Sequence, residues 1–429
     1  TARDAWVDRT QLPVGSFLVW LQYLRGGGRA VLALAFATLA RNHRWWWGQR
    51  DPLGSGLCSF GTSDVGGGLY RGTAFGARNE SSMDNAAHHD GAAYDPATRT
   101  LDCWDVGLNS LLALDAEMLA LMAAELGEDP APFQGLAART RDRIRDELWD
   151  DRRGLFANRR RGGGFVRSVG PTSFYPLVAG APTQAQAARL VAHLEDPATF
   201  GGAFVIAGTS RDDPAFADNT YWRGRIWPPL NFWVWHGLRR TGHEAAAAAL
   251  ADRSVDLFLQ SWRQGLCPEN YNATSGAALD QPDTDGFYTW GALLPLLGVA
   301  SVMDCNPWGG WEIVNAADPA TLGPLESPAG PVTVAREGGR LIVMRGAGVL
   351  LATDVIGRIA HLEIAAGRLG MDLPPVATAA EVVLPGVDPA RVVAVRLGGA
   401  AAGWRAAAGG IAIPVPPDAQ RRRLVVHSA

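Results

Sequence analysis

Lysine is absent from this 429-residue chain, so all 39 of its basic side chains are arginines. A Walker-A lysine, a Schiff-base lysine and a Ser-Lys dyad are thereby excluded, and several reaction classes with them. Cysteine is scarce. Cys58, Cys103, Cys267 and Cys305 form no CxxC pair, which argues against a zinc ribbon or a thiol redox motif and reads as four reduced, semi-buried thiols. No basic-then-apolar leader follows Thr1, and no apolar run reads as long enough to span a bilayer. The expected location is cytoplasmic, with no membrane partner. An excess of one charge sign is lacking too: 39 cations against 43 acids leave a net charge of −4, which argues against nucleic acid as a partner.

Familiar catalytic signatures also fail. His243-Glu244 opens an HExxH zinc motif, but position 247 is alanine. There is no GxSxG elbow. The triple-glycine stretches lack the strand-loop-helix setting of a dinucleotide site. What is present is a globular composition, with 47% hydrophobic and 19% charged residues, and sixteen tryptophans. Trp is costly to bury because its indole N–H needs a partner. Its excess points to surfaces that stack on flat ligands, sugars among them.

Helical periodicity dominates residues 1–304, with helices expected over Pro13–Leu24, Arg29–His43, a stretch capped by Asn109, Pro130–Leu148, Ala181–Leu194, Ile226–Arg240, His243–Trp262 and Gly291–Val302. Three long non-helical segments interrupt them, at residues 43–109, 200–225 and 265–289. Loops of that length inside a compact domain are usually functional. Short turns alternating with long loops suggest a toroid of α-hairpins with the loops gathered over one mouth. From residue 305 the pattern changes to short apolar runs punctuated by Gly and Pro, including 332–334, 340–344, 382–384, 392–395 and 424–426. Residues 305–429 read as a β-sandwich-like accessory domain.

Three constellations carry the chemistry. The first is Arg78-Asn79-Glu80-Ser81-Ser82-Met83-Asp84-Asn85-Ala86-Ala87-His88-His89-Asp90. It reads as a capped turn, as an acid/base site, or as a metal site of His88, His89 and Asp90. Adjacent histidines point different ways on any regular element, which weighs against the metal. The second is Tyr221-Trp222-Arg223-Gly224-Arg225-Ile226-Trp227-Pro228-Pro229. Trp227 suits a core, whereas Trp222 beside Gly224 suits a ligand platform. The third is Glu269-Asn270-Tyr271-Asn272-Ala273-Thr274-Ser275-Gly276, followed by Gln281-Pro282-Asp283 and Phe287-Tyr288-Thr289-Trp290. Hydrolysis of a glycosidic bond needs an acid on one side of the sugar and a base or nucleophile on the other. It also needs a platform for the ring and polar groups for the hydroxyls. These loops hold such residues without lysine or metal.

Together the motifs, supported by Arg9-Thr10-Gln11-Leu12-Pro13 and by Phe287 to Gly291, resemble glycoside hydrolase family 63, in particular its bacterial mannosylglycerate/glucosylglycerate hydrolase-like branch. The similarity runs from about Asp4 to Trp311. The resemblance implies an (α/α)6 barrel, inverting hydrolysis of α-glycosides, a small carbohydrate substrate and no cofactor. It places the general acid at Asp84 and the general base at Glu269. Tyr221, Trp222, Arg223, Gly224 and Trp227 would line the sugar subsite, with Gln11 and Gln281 as substrate-contacting amides. Inverting carboxyls are expected roughly 6.5–9.5 Å apart. One departure is Ser82, where the family often has Gly. Another is the helix count, about eight or nine against twelve for the barrel. It suggests a fragment that starts mid-barrel and leaves Phe17, Trp20 and Leu21 in an exposed apolar patch. The competing readings are a non-catalytic carbohydrate-binding protein and a sugar isomerase or epimerase using paired histidines.

Overall fold

A computed structural model describes residues 10–64, 70–327 and 329–429; Asp4 and Arg9, named above, lie outside them. The chain divides into two compact units. The first takes residues 1–19 and 32–298, the second residues 20–31 and 299–429.

The described α-helices are α1 (Gly15–Leu24), α2 (Arg29–Arg50), α3 (Ala74–Asn79), α4 (Val106–Leu126), α5 (Ala131–Glu147), α6 (Tyr175–Ala179), α7 (Gln184–Glu195), α8 (Pro228–Arg240), α9 (Glu244–Trp262) and α10 (Leu293–Ala300). Several bounds differ from the sequence reading for local reasons. Helix α2 runs on past His43 to Arg50, so His43 is buried mid-helix on Asp115 at 2.7 Å rather than ending the helix. Helix α4 is capped by Asp105, whose Oδ1 accepts from the Leu108 N–H at 2.8 Å. Asn109 lies inside that helix, fully buried, and binds both backbone groups of Cys58 at 2.8 and 2.9 Å. A buried amide with paired partners therefore replaces the expected cap. The buried stripe of α9 includes Leu250, Ser254, Leu257, Phe258 and Ser261, whereas Trp262, its last residue, is exposed.

By length and apolarity α4 could cross a bilayer, contrary to the sequence reading. Sixteen of its residues are buried, which makes it the central core helix of its unit. Phe17, Trp20 and Leu21 are buried, not exposed as expected; Leu18, Val31 and Leu34 are the exposed large apolar residues of α1 and α2. Phe17 packs edge-on against Phe232 and Trp233 of α8. Trp20, within the second unit, donates its indole N–H to the Pro307 carbonyl at 3.1 Å.

The second unit holds two seven-stranded antiparallel sheets. Strands 303–306, 310–315, 357–365, 368–373, 422–428, 392–397 and 400–401 form one. Strands 320–325, 332–337, 340–345, 348–353, 380–384, 410–415 and 405–407 form the other. Their alternating inward residues, among them Val334, Leu341, Ile359, Met371, Val382, Ile413 and Leu424, make one apolar core.

Candidate active site

The site is assembled from the three long loops of the first unit, each held by a buried polar residue. Arg50, at the end of α2, is 1% exposed and reaches back into the first loop. Its Nε and Nη2 donate to the two oxygens of Glu80 at 2.6 and 2.7 Å. Glu80 also accepts from the N–H groups of Gly61 at 2.8 Å and Thr10 at 3.2 Å. Burial pushes this carboxyl up against the pull of the Arg50 guanidinium. With four N–H donors on its two oxygens, its role is to staple the loop, not to deliver a proton.

The chain then turns sharply. Ser81 Oγ donates to the Arg78 carbonyl at 2.6 Å and accepts from the Met83 N–H at 3.0 Å. Ser82 adopts φ 61°, a left-handed conformation natural to glycine. Two residues on, Asp84 is half-buried, and its Oδ1 accepts from the Asn85 N–H at 3.2 Å. Burial holds its carboxyl above the usual aspartate value.

Asn85 and Arg223 tie this loop to the second. Asn85 Oδ1 accepts from the Trp222 N–H at 3.0 Å. Arg223 donates to Asp90 at 2.7 Å and to Asp218 at 2.6 Å. Gly224 has φ 77°, and a Cβ there would stand 2.1 Å from the Phe216 carbonyl oxygen. Its smallness thus serves a backbone approach. Arg225, fully buried, joins the second loop to the third. It binds Asn270 through Nε, Asp280 at 2.8 Å, Asn219 at 3.1 Å and the Ala278 carbonyl at 3.2 Å. A two-residue strand pair, Arg225–Ile226 with Tyr271–Asn272, runs alongside. Glu269 precedes that pair. It is 8% exposed and accepts from the Asn270 side chain at 3.3 Å. Burial first, and the charges of Asp285 and Asp283 next, raise its pKa.

Tyr221 stands in the field of both carboxyls. Its phenol is pushed up to about 12 by burial and by the negative charges of Glu269 and Asp84. Trp222 stacks on Trp227 at 3.5 Å and 13°, with Trp290 about 6 Å from each. Trp227 is fully buried and donates its indole N–H to the Tyr221 carbonyl at 2.8 Å. Trp222 is only 4% exposed, more enclosed than a loop-borne platform would be. Its indole N–H is buried and unpartnered among the described residues.

A cavity of about 370 Å³ adjoins this cluster, and Trp222, Trp290, Ser82, Met83, Gln11, Phe232 and Trp233 are among its mainly apolar lining. Gln11 accepts from the Ser82 hydroxyl at 3.2 Å. Asp84 and Glu269 are not among the lining residues; Met83, next to Asp84, is. Gln281 is half-buried away from this wall, and its backbone carbonyl accepts from the Thr284 N–H at 3.3 Å. The structure thus gathers Gln11, Ser82 and Trp222 on a cavity and ties Asn85 and Asn270, the neighbours of Asp84 and Glu269, to the loop of Tyr221 and Trp222. Arg223, Gly224 and Trp227 hold the loops behind them. The sequence reading missed the tying roles of Asn85, Arg225 and Asn270. The signal was an arginine between Gly224 and an apolar run, a setting that buries it and obliges it to find partners.

Two carboxyls raised by burial, an aromatic cluster and an adjoining cavity on the loops of a helical unit define a site of the glycoside hydrolase class. Residues 3–291 match the family described as mannosylglycerate hydrolase MGH1-like glycoside hydrolase domain, and the chain belongs to this branch of glycoside hydrolase family 63. It is 33% identical over 191 residues to a mannosylglycerate hydrolase of Rubrobacter radiotolerans, a match covering 43% of this chain and 42% of that protein. It is 29% identical over 195 residues to one of Thermus thermophilus, covering 45% and 44%. The chain thus matches less than half the length of these curated relatives. The crystal structure of a GH63 mannosylglycerate hydrolase from Thermus thermophilus in complex with glucose superposes with a TM-score of 0.56 at 25% identity, covering 68% of this chain and 75% of that one. A sialidase superposes with a TM-score of 0.64 at 14% identity over 80% of this chain and 32% of that one, a likeness of fold alone.

Proposed function

We propose that the chain is an inverting glycoside hydrolase acting on α-glycosidic bonds of small glucosides or mannosides, glucosylglycerate- and mannosylglycerate-like compounds or short α-glucans. In this reading residues 1–304 are the catalytic domain, arranged on the plan of an (α/α)6 ring, and residues 305–429 are an accessory domain. The observation that carries it is the tie between the loops: Asn85, beside Asp84, accepts from the Trp222 N–H at 3.0 Å, and Arg225 of the same loop binds Asn270, beside Glu269. Asp84 holds its proton longer than an exposed aspartate because burial disfavours its charge, as a general acid requires. Glu269, raised likewise, is the stronger base for activating water. The unpartnered Trp222 indole N–H is a donor for a sugar hydroxyl, with Gln11 and Tyr221 nearby as further polar contacts. Arg223, Gly224 and Trp227 act by holding these groups, and Gln281 contacts substrate in the outer loop. Four free, buried cysteines support a reducing, cytoplasmic setting.

The isomerase reading loses its proton carriers, because His88 and His89 are buried side by side rather than opposed across a site. The test is incubation of the purified chain with α-mannosylglycerate, α-glucosylglycerate, trehalose and maltotriose, followed by sugar analysis. Release of free hexose, slowed by about 10²–10⁴-fold in both D84N and E269Q, is expected. Binding without cleavage would leave the non-catalytic reading instead.

A further inference from the structure

His88 and His89 do not diverge. They occupy one 3-10 turn, residues 87–89, and their ring centroids lie 4.3 Å apart. The third partner is not Asp90, which binds Arg223, but Asp105, the cap of α4. One donor atom from each of His88, His89 and Asp105 lies within 4.8 Å of the other two, and all three residues are buried. His88 is 5% exposed, and its Nε2 has no hydrogen-bond partner among the described residues. A buried imidazole nitrogen without a protein partner is uncommon in native interiors and calls for an explanation.

We propose that His88, His89 and Asp105 bind one zinc-like divalent ion, which fastens the turn carrying Asp84 to the start of α4. Two imidazoles and a carboxylate are a donor set that suits Zn2+, with a fourth position left for water. Ligands about 2.1 Å from a tetrahedral ion stand about 3.3 Å from one another, so the cluster closes by side-chain rotations of about 1–1.5 Å. The surroundings already fix the ligands. Asp105 Oδ2 accepts from Asn158 at 2.8 Å, and His89 Nε2 meets Ser81 Oγ at 3.0 Å. Each Asp105 oxygen keeps a second lone pair for a metal. The ion joins two segments of the chain and takes no part in the acid/base step, so the proposal stands or falls independently of the hydrolase reading.

The experiment uses the full chain after dialysis against a chelator, with ZnCl2 and CoCl2 as probes. Wild type should retain one zinc per chain by elemental analysis. At zinc about a hundredfold above Kd, its Tm should rise by about 5–10 °C. Cobalt should give the visible absorption of a four-coordinate site. In H88M, with H88Q as a second variant, the retained zinc, the cobalt spectrum and the Tm gain should all disappear. Zinc-free H88M should melt at or above zinc-free wild type, because it removes a buried, unpartnered nitrogen. Wild type that retains no zinc and shows no cobalt absorption overturns the proposal, whatever the variants do. Zinc retained undiminished in both variants also overturns it, by placing the ion elsewhere.

Discussion

Replacing Arg225 by Met tests whether one buried guanidinium sets the relation between the second and third loops. Arg225 is 0% exposed and gives its N–H groups to Asn270, Asn219, Asp280 and the Ala278 carbonyl. Met preserves most of the volume and removes every donor. Two buried acceptors, Asn270 Oδ1 and the Ala278 oxygen, then lose a charged donor, at about 1–3 kcal/mol each. Asn270 Oδ1 keeps Thr284 at 3.1 Å. Asp280 keeps Asn272 at 2.6 Å, and at 26% exposed it can rehydrate, so its share is discounted for solvent. The sum is about 2–4 kcal/mol, below the worst cases of broken buried pairs. It corresponds to a fall in Tm of roughly 4–8 °C.

The loss should also depend on pH. Burial raises the Asp280 pKa, but its bonds to Asn272, Asn219 and Arg225 outweigh this and leave it lowered. A depressed acid contributes stability above its unfolded pKa, about 3.9, and loses it as pH falls through the folded value. The gap between wild type and R225M should therefore be full at pH 7 and narrow below about pH 4. The lost tie also frees the residue next to Glu269. A shift of about 1 Å there would lower kcat/KM by on the order of 10². Thermal melts from pH 3 to 7 and turnover at 25 °C read both effects. R225K keeps the charge but not the fork, and should fall between wild type and R225M. A Tm within 1 °C of wild type (about 0.5 kcal/mol) with unchanged kcat/KM would refute the reasoning.

Further outcomes follow from the same geometry. Activity should decline on the alkaline side as Asp84 loses its proton, with a midpoint above that of an exposed aspartate, because burial raises its pKa; a pH–rate profile flat through that region would reassign the acid. W222A should cost about 3–5 kcal/mol of stability in a melt, the usual loss for truncating a buried aromatic, since Trp222 is enclosed and stacked on Trp227. A near-wild-type Tm would restore the exposed-platform reading. S82G should stabilise by about 0.5–1 kcal/mol, because glycine takes the positive φ of that turn more cheaply than serine. A lower denaturant midpoint would show that the Ser82 contact to Gln11 outweighs the strain.

Much of this architecture is legible in the chain itself. The period of apolar residues exposes most helices, and the change to short apolar runs marks the sheet-rich segment. Sequence pattern is weaker where a polar residue is buried with partners far away in the chain. Asn109 looks like a cap, yet it holds Cys58, 51 residues away, from inside a helix. Glu80 looks like a free acid of the same loop as Asp84, but Arg50 and two backbone amides consume it. Trp222 sits in a loop, and loops suggest exposure, but stacking on Trp227 encloses it. The histidine pair misled through its local geometry. Two neighbours on a regular element diverge, whereas a tight turn brings these rings together.

The central claim, that Asp84 and Glu269 form the acid and base of an inverting α-glycosidase, is tested most directly by the anomeric form of the first product. Proton NMR during hydrolysis of an α-mannoside or α-glucoside by the wild-type chain should show the β-anomer of the free sugar appearing first, with mutarotation to the α-form following. E269Q and D84N should each lower the rate by about 10²–10⁴-fold while keeping the wild-type Tm within about 2 °C (roughly 1 kcal/mol). Initial release of the α-anomer, or full activity in either variant, would contradict the account.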